Sequence, residues 1–207
     1  MATARSKGTD ESETRTALLD ATERLMLSDG YAAVTTRRVA AEAGVNPGLV
    51  YYYFGPMDNL LIEVFRRVAT RSQERHAEAL ASRQPLWALW DLILDHTNAA
   101  LNLEFLALGN HRKALRAEMK AASVRRRHMQ FNALSEILAH RGIDTERWPP
   151  EAVMLLIDGV ARFIGEEDAY GVGLGHTQAI ALVERLITEV EGERQVPRRH
   201  TRARQSA

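Results

Sequence analysis

The chain has no cysteine in 207 residues, which removes disulfide scaffolds, thiol enzymes and cysteine-based zinc fingers from consideration. Proline is scarce, with six residues. No apolar run approaches the roughly 18 residues that a membrane-spanning helix needs, so no membrane partner is expected. The N-terminal stretch is polar and lacks the apolar centre of a signal peptide, and a cytoplasmic location is therefore expected. Charge of either sign is also missing in excess: 27 Lys and Arg balance 27 Asp and Glu. The first 58 residues hold six bases (Arg5, Lys7, Arg15, Arg24, Arg37, Arg38) against eight acids. A broad positive field of the kind that draws nucleic acid by charge alone is therefore absent. The seven histidines (His76, His96, His111, His128, His140, His176, His200) show no spacing with carboxylates of the kind a metal site requires. Gly171, Gly173 and Gly175 follow no strand and have the wrong spacing for a dinucleotide loop. No nucleophile lies beside a base. The reading is therefore of a non-enzyme with no catalytic residues, no metal and no cofactor.

What is present is helical periodicity, almost from end to end. Leu18, Ala21, Leu25 and Met26 mark a first helix over 13–29, stopped by Asp29-Gly30. Beyond Gly55-Pro56, a helix over 57–82 carries Leu60, Leu61, Val64, Phe65 and Val68 inward. Pro85 opens another. Further helices are read over 103–108, 112–140 and from Pro149-Pro150 to Glu167, with a last one around Ile180, Val183, Ile187 and Val190. No strand-period segment or internal repeat stands out. The fold class is all-α, about nine helices, in four parts: a mobile polar arm over 1–11, a three-helix domain over 12–58, a larger helical domain over 59–193, and a basic disordered tail over 194–207.

The most informative stretch is 35–54, Thr-Thr-Arg-Arg-Val-Ala-Ala-Glu-Ala-Gly-Val-Asn-Pro-Gly-Leu-Val-Tyr-Tyr-Tyr-Phe. Thr35 can cap a helix that turns Val39, Ala40 and Ala43 inward. Gly44 then stands where a helix ends in a left-handed residue. Val45 plugs the corner, and Pro47 opens a second helix, where its missing N–H is unpaired anyway. That helix can bury Val50 and Phe54 and leave Asn46, Leu49, Tyr52 and Tyr53 outside. Exposed aromatic and amide groups on a short helix suit the DNA major groove better than open solvent.

These marks, together with Leu18-Leu19-Asp20-Ala21, Gly30-Tyr31 and Leu60-Leu61, resemble the DNA-binding domain of the tetracycline-repressor (TetR) family of bacterial regulators. The resemblance covers the first 62 residues; beyond them it is one of architecture. It implies that Thr36 and Arg37 face phosphate and a guanine edge, where an arginine fork meets two acceptors. It implies DNA contact also by Asn46, Pro47, Gly48 and Leu49 at the start of the recognition helix, and by Tyr51, Tyr52 and Tyr53. Family members commonly have His at the position of Tyr53 and a phosphate-contacting Lys at that of Met57. The expected partners are a double-stranded operator, a small-molecule effector and a second copy of the chain.

For an effector pocket the candidates are Trp87, Trp90, Asn102, Phe105, Leu108, His111, Met119, Met129 and Phe163, with Glu104 as a further polar anchor. The helix from Pro150 is apolar nearly all round, which predicts burial on two sides. Val160, Ile164, Ile180, Val183 and Ile187 are accordingly the expected dimer interface. Asp158, the lone charge in its run, either meets a ligand or pairs with Arg162 one turn on. The basic run Arg112, Lys113, Arg116, Lys120, Arg125, Arg126 and Arg127 reads as a solvated face, or as a site for an anionic effector. The expected function is a ligand-released repressor. The alternative is a helical small-molecule-binding protein whose DNA binding is weak or lost.

Overall fold

The computed structural model describes residues 3–95 and 99–195. Among them are nine α-helices, one short 3₁₀ turn and no strand: α1 (Thr3–Asp29), α2 (Thr36–Glu42), α3 (Gly48–Phe54), α4 (Met57–Leu80), α5 (Pro85–Leu94), α6 (Ala99–His111), α7 (Lys113–His140), α8 (Pro150–Asp168) and α9 (His176–Glu191). The segment 3–11, expected as a mobile arm, is the beginning of α1, which runs through Gly8 and meets no proline before Asp29-Gly30. The side chains of Arg5 and Lys7 lie outside the described residues, as do His96, His200 and positions 196–207 of the expected tail. Arg194, assigned to that tail, instead stacks on the Trp87 ring at 4.3 Å and pairs with Asp91 at 3.0 Å. The 3₁₀ turn Tyr31–Ala33 has no periodicity of its own to predict it.

The chain packs as two compact units. Residues 1–71 and 100–123 make the first, and 72–99 with 124–207 make the second. The expected boundary at 58/59 does not coincide with this division, which falls within α4 and α7. Each unit has its own core. In the first, Leu18, Met26, Val39, Val50, Leu60 and Val64 meet Leu101, Phe105 and Leu115, all nearly inaccessible to solvent. Burying a Leu or Phe side chain contributes about 1.5–3 kcal/mol, so this cluster orders the short α2 and α3, which could not persist alone. Arg67 bonds Asp20 at 2.7 Å and Glu23 at 2.9 Å, clamping α1 to α4.

The second core joins Trp87, Leu89 and Trp90 of α5 to Leu134 and Leu138 of α7, Met154 and Ala161 of α8, and Val183 and Ile187 of α9. Glu191, buried at the end of α9, accepts from the backbone N–H groups of Leu86 and Trp87 at 3.2 and 3.0 Å. These are two of the N–H groups that the start of α5 leaves without an intrahelical partner, and a carboxylate also suits the positive end of a helix. A buried carboxylate that would otherwise be costly is thereby satisfied.

Candidate nucleic-acid interface

The motif at 35–54 is fixed by local hydrogen bonds. Thr35 Oγ1 accepts from the Arg38 N–H at 3.3 Å and starts α2. Gly44 takes φ +70°, and the Val45 N–H returns to the Ala40 carbonyl at 2.9 Å, closing the α2 end. Asn46 Oδ1 accepts from the Gly48 N–H at 2.8 Å, so the exposed asparagine expected to face DNA also ties down the start of α3. A Cβ at Gly48 would stand 3.2 Å from that oxygen. Past α3, Gly55 turns at φ +67° and Asn59 Nδ2 donates to the Phe54 carbonyl at 2.9 Å. Sequence reading missed this last contact; the only sign of it was an amide five residues beyond the helix end.

With α3 so held, Val50 and Phe54 are buried and Tyr51 and Tyr52 stand 72% and 68% exposed. Tyr53 and Leu49 do not share that outer face, contrary to expectation. Tyr53 is half-buried on the core and meets Tyr52 edge to face, ring centroids 5.0 Å apart; Leu49 is half-buried as well. The reason is helical phase. Tyr53 is three residues from Val50 and four from Leu49, so it lies on the flank of the buried stripe. Met57 also rests partly on the core.

The cations of this unit are unequal. Arg38 pairs with Asp29, and Arg24 bonds Glu42 at 2.8 Å. The Arg38 guanidinium holds the Asp29 carboxyl below its ordinary range. Arg37, exposed at the start of α2, has no acidic partner among the described residues. Thr36 is exposed beside it, and Pro47 and Gly48 are exposed at the start of α3. The outer surface of α2 and α3 thus offers one uncommitted guanidinium, two phenols and a hydroxyl on a rigid frame.

Residues 18–64 match the family described as "Bacterial regulatory proteins, tetR family". Over this stretch, its helix-turn-helix region, the chain is similar to the tetR family. The HTH-type transcriptional regulator BetI of Rhizobium meliloti (strain 1021) is 36% identical over 66 residues, and that match spans 32% of this chain and 32% of the relative. The fold agrees much further along. A putative transcriptional regulator from Saccharomonospora viridis, solved in complex with choline, superposes with a TM-score of 0.70 over 88% of this chain and all of its own, at 22% identity. A putative transcriptional regulator from Pseudomonas aeruginosa PAO1 gives 0.65 over 86% of this chain and 89% of its own, at 20% identity. The fold of these solved regulators therefore extends through both units, while close sequence likeness is confined to the first.

The residues expected to line a pocket are divided between the two units. Asn102, Phe105, Leu108, His111 and Met119 belong to the first unit, where Phe105 and Leu108 are core and Asn102 and His111 are exposed. Glu104 accepts from the Tyr31 N–H at 2.7 Å and so fixes the 3₁₀ turn. In the second unit Trp87 and Trp90 are core, Met129 is half-buried and Phe163 is exposed. Of the residues expected at a dimer interface, Ile164, Val183 and Ile187 are buried in their own unit, and Val160 and Ile180 are half-buried against the same core. The apolar groups that α8 and α9 leave outside are Leu155, Leu156, Phe163, Leu182 and Leu186. An open groove of about 360 Å³ beside them is lined by Val160, Phe163, Leu174 and Ala179 among others. Periodicity located both stripes of α8 but not which of them the unit covers itself. Among the described residues no helix is long and apolar enough to cross a membrane, and no His/Asp/Glu group could hold a metal ion.

Proposed function

We propose that the protein is a ligand-responsive transcriptional regulator that binds a near-palindromic operator as a homodimer and is released by a small organic effector. The observation that carries the DNA-binding part is the outer face of α3. Two phenol rings stand more than two-thirds exposed on a helix capped at both ends, next to the uncommitted Arg37. Solvated surfaces rarely hold aromatic side chains so rigidly in the open, and a helix in a major groove uses them for phosphate, sugar and thymine-methyl contacts. Arg37 and Thr36 address the phosphates and a guanine edge from α2, with Pro47 and Gly48 bringing the start of α3 close to the backbone. The exposed stripe of α8 and α9 is the natural dimer surface, since a two-fold dimer presents two recognition helices to successive major grooves. Release by an effector is supported by the S. viridis neighbour, whose fold holds choline, and by the likeness to BetI.

Effector and operator then oppose each other through one reciprocal coupling free energy. The test is fluorescence anisotropy with labelled duplexes from the region flanking the protein's own gene. The reading requires saturable, sequence-dependent binding that Arg37→Ala weakens. Binding to no such duplex, by a protein that is folded and dimeric, would sink it. One observation favours a second reading, a helical ligand-binding protein with little affinity for DNA: Met57, at the position of a common phosphate-binding lysine, is turned onto the core. Indifference of the anisotropy to duplex sequence is the result that would select it.

A further inference from the structure

On α7 the second unit half-buries two arginines beside a fully buried amide. On α7, Arg126, Arg127 and Gln130 lie within one helical turn of each other. The Nε of Arg126, the Nη1 of Arg127 and both side-chain polar atoms of Gln130 are shut off from solvent without a hydrogen-bond partner among the described residues. Gln130 is only 1% exposed. Asp158 on α8 faces this group: burial pushes its carboxyl up, and Arg126 and then Arg127 draw it back more strongly than Arg162 does. The pairing of Asp158 with Arg162 along α8, expected from spacing, is therefore secondary to charges from across the bundle. Asp158 is the one carboxylate acting on Arg126, whose charge is opposed by burial first and also by Arg162 and Arg127. His76 of α4 donates from Nδ1 to the Ser72 carbonyl at 2.7 Å, and burial holds its pKa below the ordinary value. Its ring is neutral near pH 7, so it adds no positive charge and presents Nε2 as an acceptor.

Two inward guanidiniums against one carboxylate leave a positive charge uncompensated. Beside it lies an amide with two donors and an acceptor unused. Buried polar groups almost always find partners, and a half-satisfied network is worse for stability than leucine or methionine in the same places. Such a cluster is costly to the folded chain by itself and makes sense as one half of a recognition surface. The donors match a planar anion, because guanidinium forks and a carboxamide present N–H groups at the spacing of carboxylate oxygens. A cationic ligand would meet like charge there.

We propose that Arg126, Arg127 and Gln130 form the polar end of the effector site, and that the effector is an organic carboxylate. Asp158 acts through Arg126 as a positioning residue. The inference rests on the ligand-responsive reading above, and it is tested on the free protein, without DNA. The probes are a series of straight-chain carboxylates from acetate to decanoate, set against alkyltrimethylammonium ions of the same lengths, measured by titration calorimetry and thermal shift. Members of the carboxylate series should bind and raise Tm while their ammonium counterparts do not. Gln130→Leu and Arg127→Met should each weaken carboxylate binding by about tenfold or more, the scale of one lost charge-assisted hydrogen bond. The ligand-free Tm of both variants should equal or exceed that of the wild type, since a costly orphan group has been removed. Absence of binding across the carboxylate series, equal binding of the ammonium ions, or unchanged carboxylate affinity in both variants would overturn the proposal. Adding operator duplex separates the two readings. Carboxylate binding that leaves the duplex bound keeps the site and removes the regulatory role. Duplex binding by a protein that ignores every carboxylate does the reverse.

Discussion

At the scale of single residues, the three consecutive tyrosines show how little residue type decides by itself. Tyr51 and Tyr52 face outward and Tyr53 turns onto the core, a division set by one hundred degrees of helical rotation per step. Replacing Tyr52 or Arg37 by alanine should weaken operator binding by about 1–3 kcal/mol each while leaving the unfolding midpoint where it was. Tyr53→Ala should lower folding stability by about 1–2 kcal/mol, less than a fully buried aromatic would cost, and weaken DNA binding only through that. Anisotropy and urea unfolding on the same three variants separate the two behaviours. Equal loss of operator affinity with no loss of stability for Tyr53→Ala would show that its hydroxyl touches DNA after all. Met57 gives a second residue-scale expectation. With few uncommitted cations on α2 and α3, each subunit neutralises few phosphates, and log affinity should fall only gently with log salt. Met57→Lys can keep its stem on the core while the ammonium reaches out, and should steepen that slope by about one per subunit. A wild-type slope already steep, or one that the lysine leaves unmoved, contradicts this account.

At the scale of elements, the helix-turn-helix was legible because every one of its signals is local. Thr35, Gly44, Val45 and Pro47 each do within a few residues what their chemistry predicts; the structure differs in tying Asn46 to the start of α3 and in half-burying Leu49 and Tyr53. Apart from the Asn59–Phe54 bond, the contacts that escaped sequence reading are those between distant segments: Glu104 with Tyr31, Glu191 with the start of α5, and Asp158 with α7. A carboxylate at such a position looks like any surface acid until its partner is known. The α2–α3 turn offers a direct check on the local account. Gly44 has φ +70° and no atom near where a Cβ would go, so any substitution cost there is conformational and not steric. Gly44→Ala should destabilise the protein by about 1 kcal/mol, and Gly44→Asn, which tolerates the left-handed region better, by less. If alanine and asparagine cost the same in a denaturant titration, the turn has relaxed to another conformation and this explanation of Gly44 fails.

At the scale of the whole molecule, α8 carries two apolar stripes and its own unit covers one. Met154, Ala161 and Ile164 face inward with Val183 and Ile187 of α9, while Leu156 and Phe163 stay 70% and 59% exposed, with Leu182 and Leu186 on α9. A stripe of this kind held open to water is the mark of an association surface, and burial stabilises it by about 25 cal/mol per Å². The two stripes answer differently to a single charge. Val183→Glu places a carboxylate in a closed core, where desolvation costs several kcal/mol, and should yield protein that unfolds or aggregates. Leu156→Glu or Phe163→Glu places it where only a partner subunit would desolvate it. Those variants should keep the helical circular dichroism of the wild type and its unfolding cooperativity, yet sediment as monomers. Operator binding should fall with dimerisation, because a single recognition helix makes half the contacts and a monomer must meet each half-site separately. Dimers that survive both outer-stripe substitutions at micromolar concentration would place the subunit contact elsewhere and leave the exposed face of α8 without an occupant.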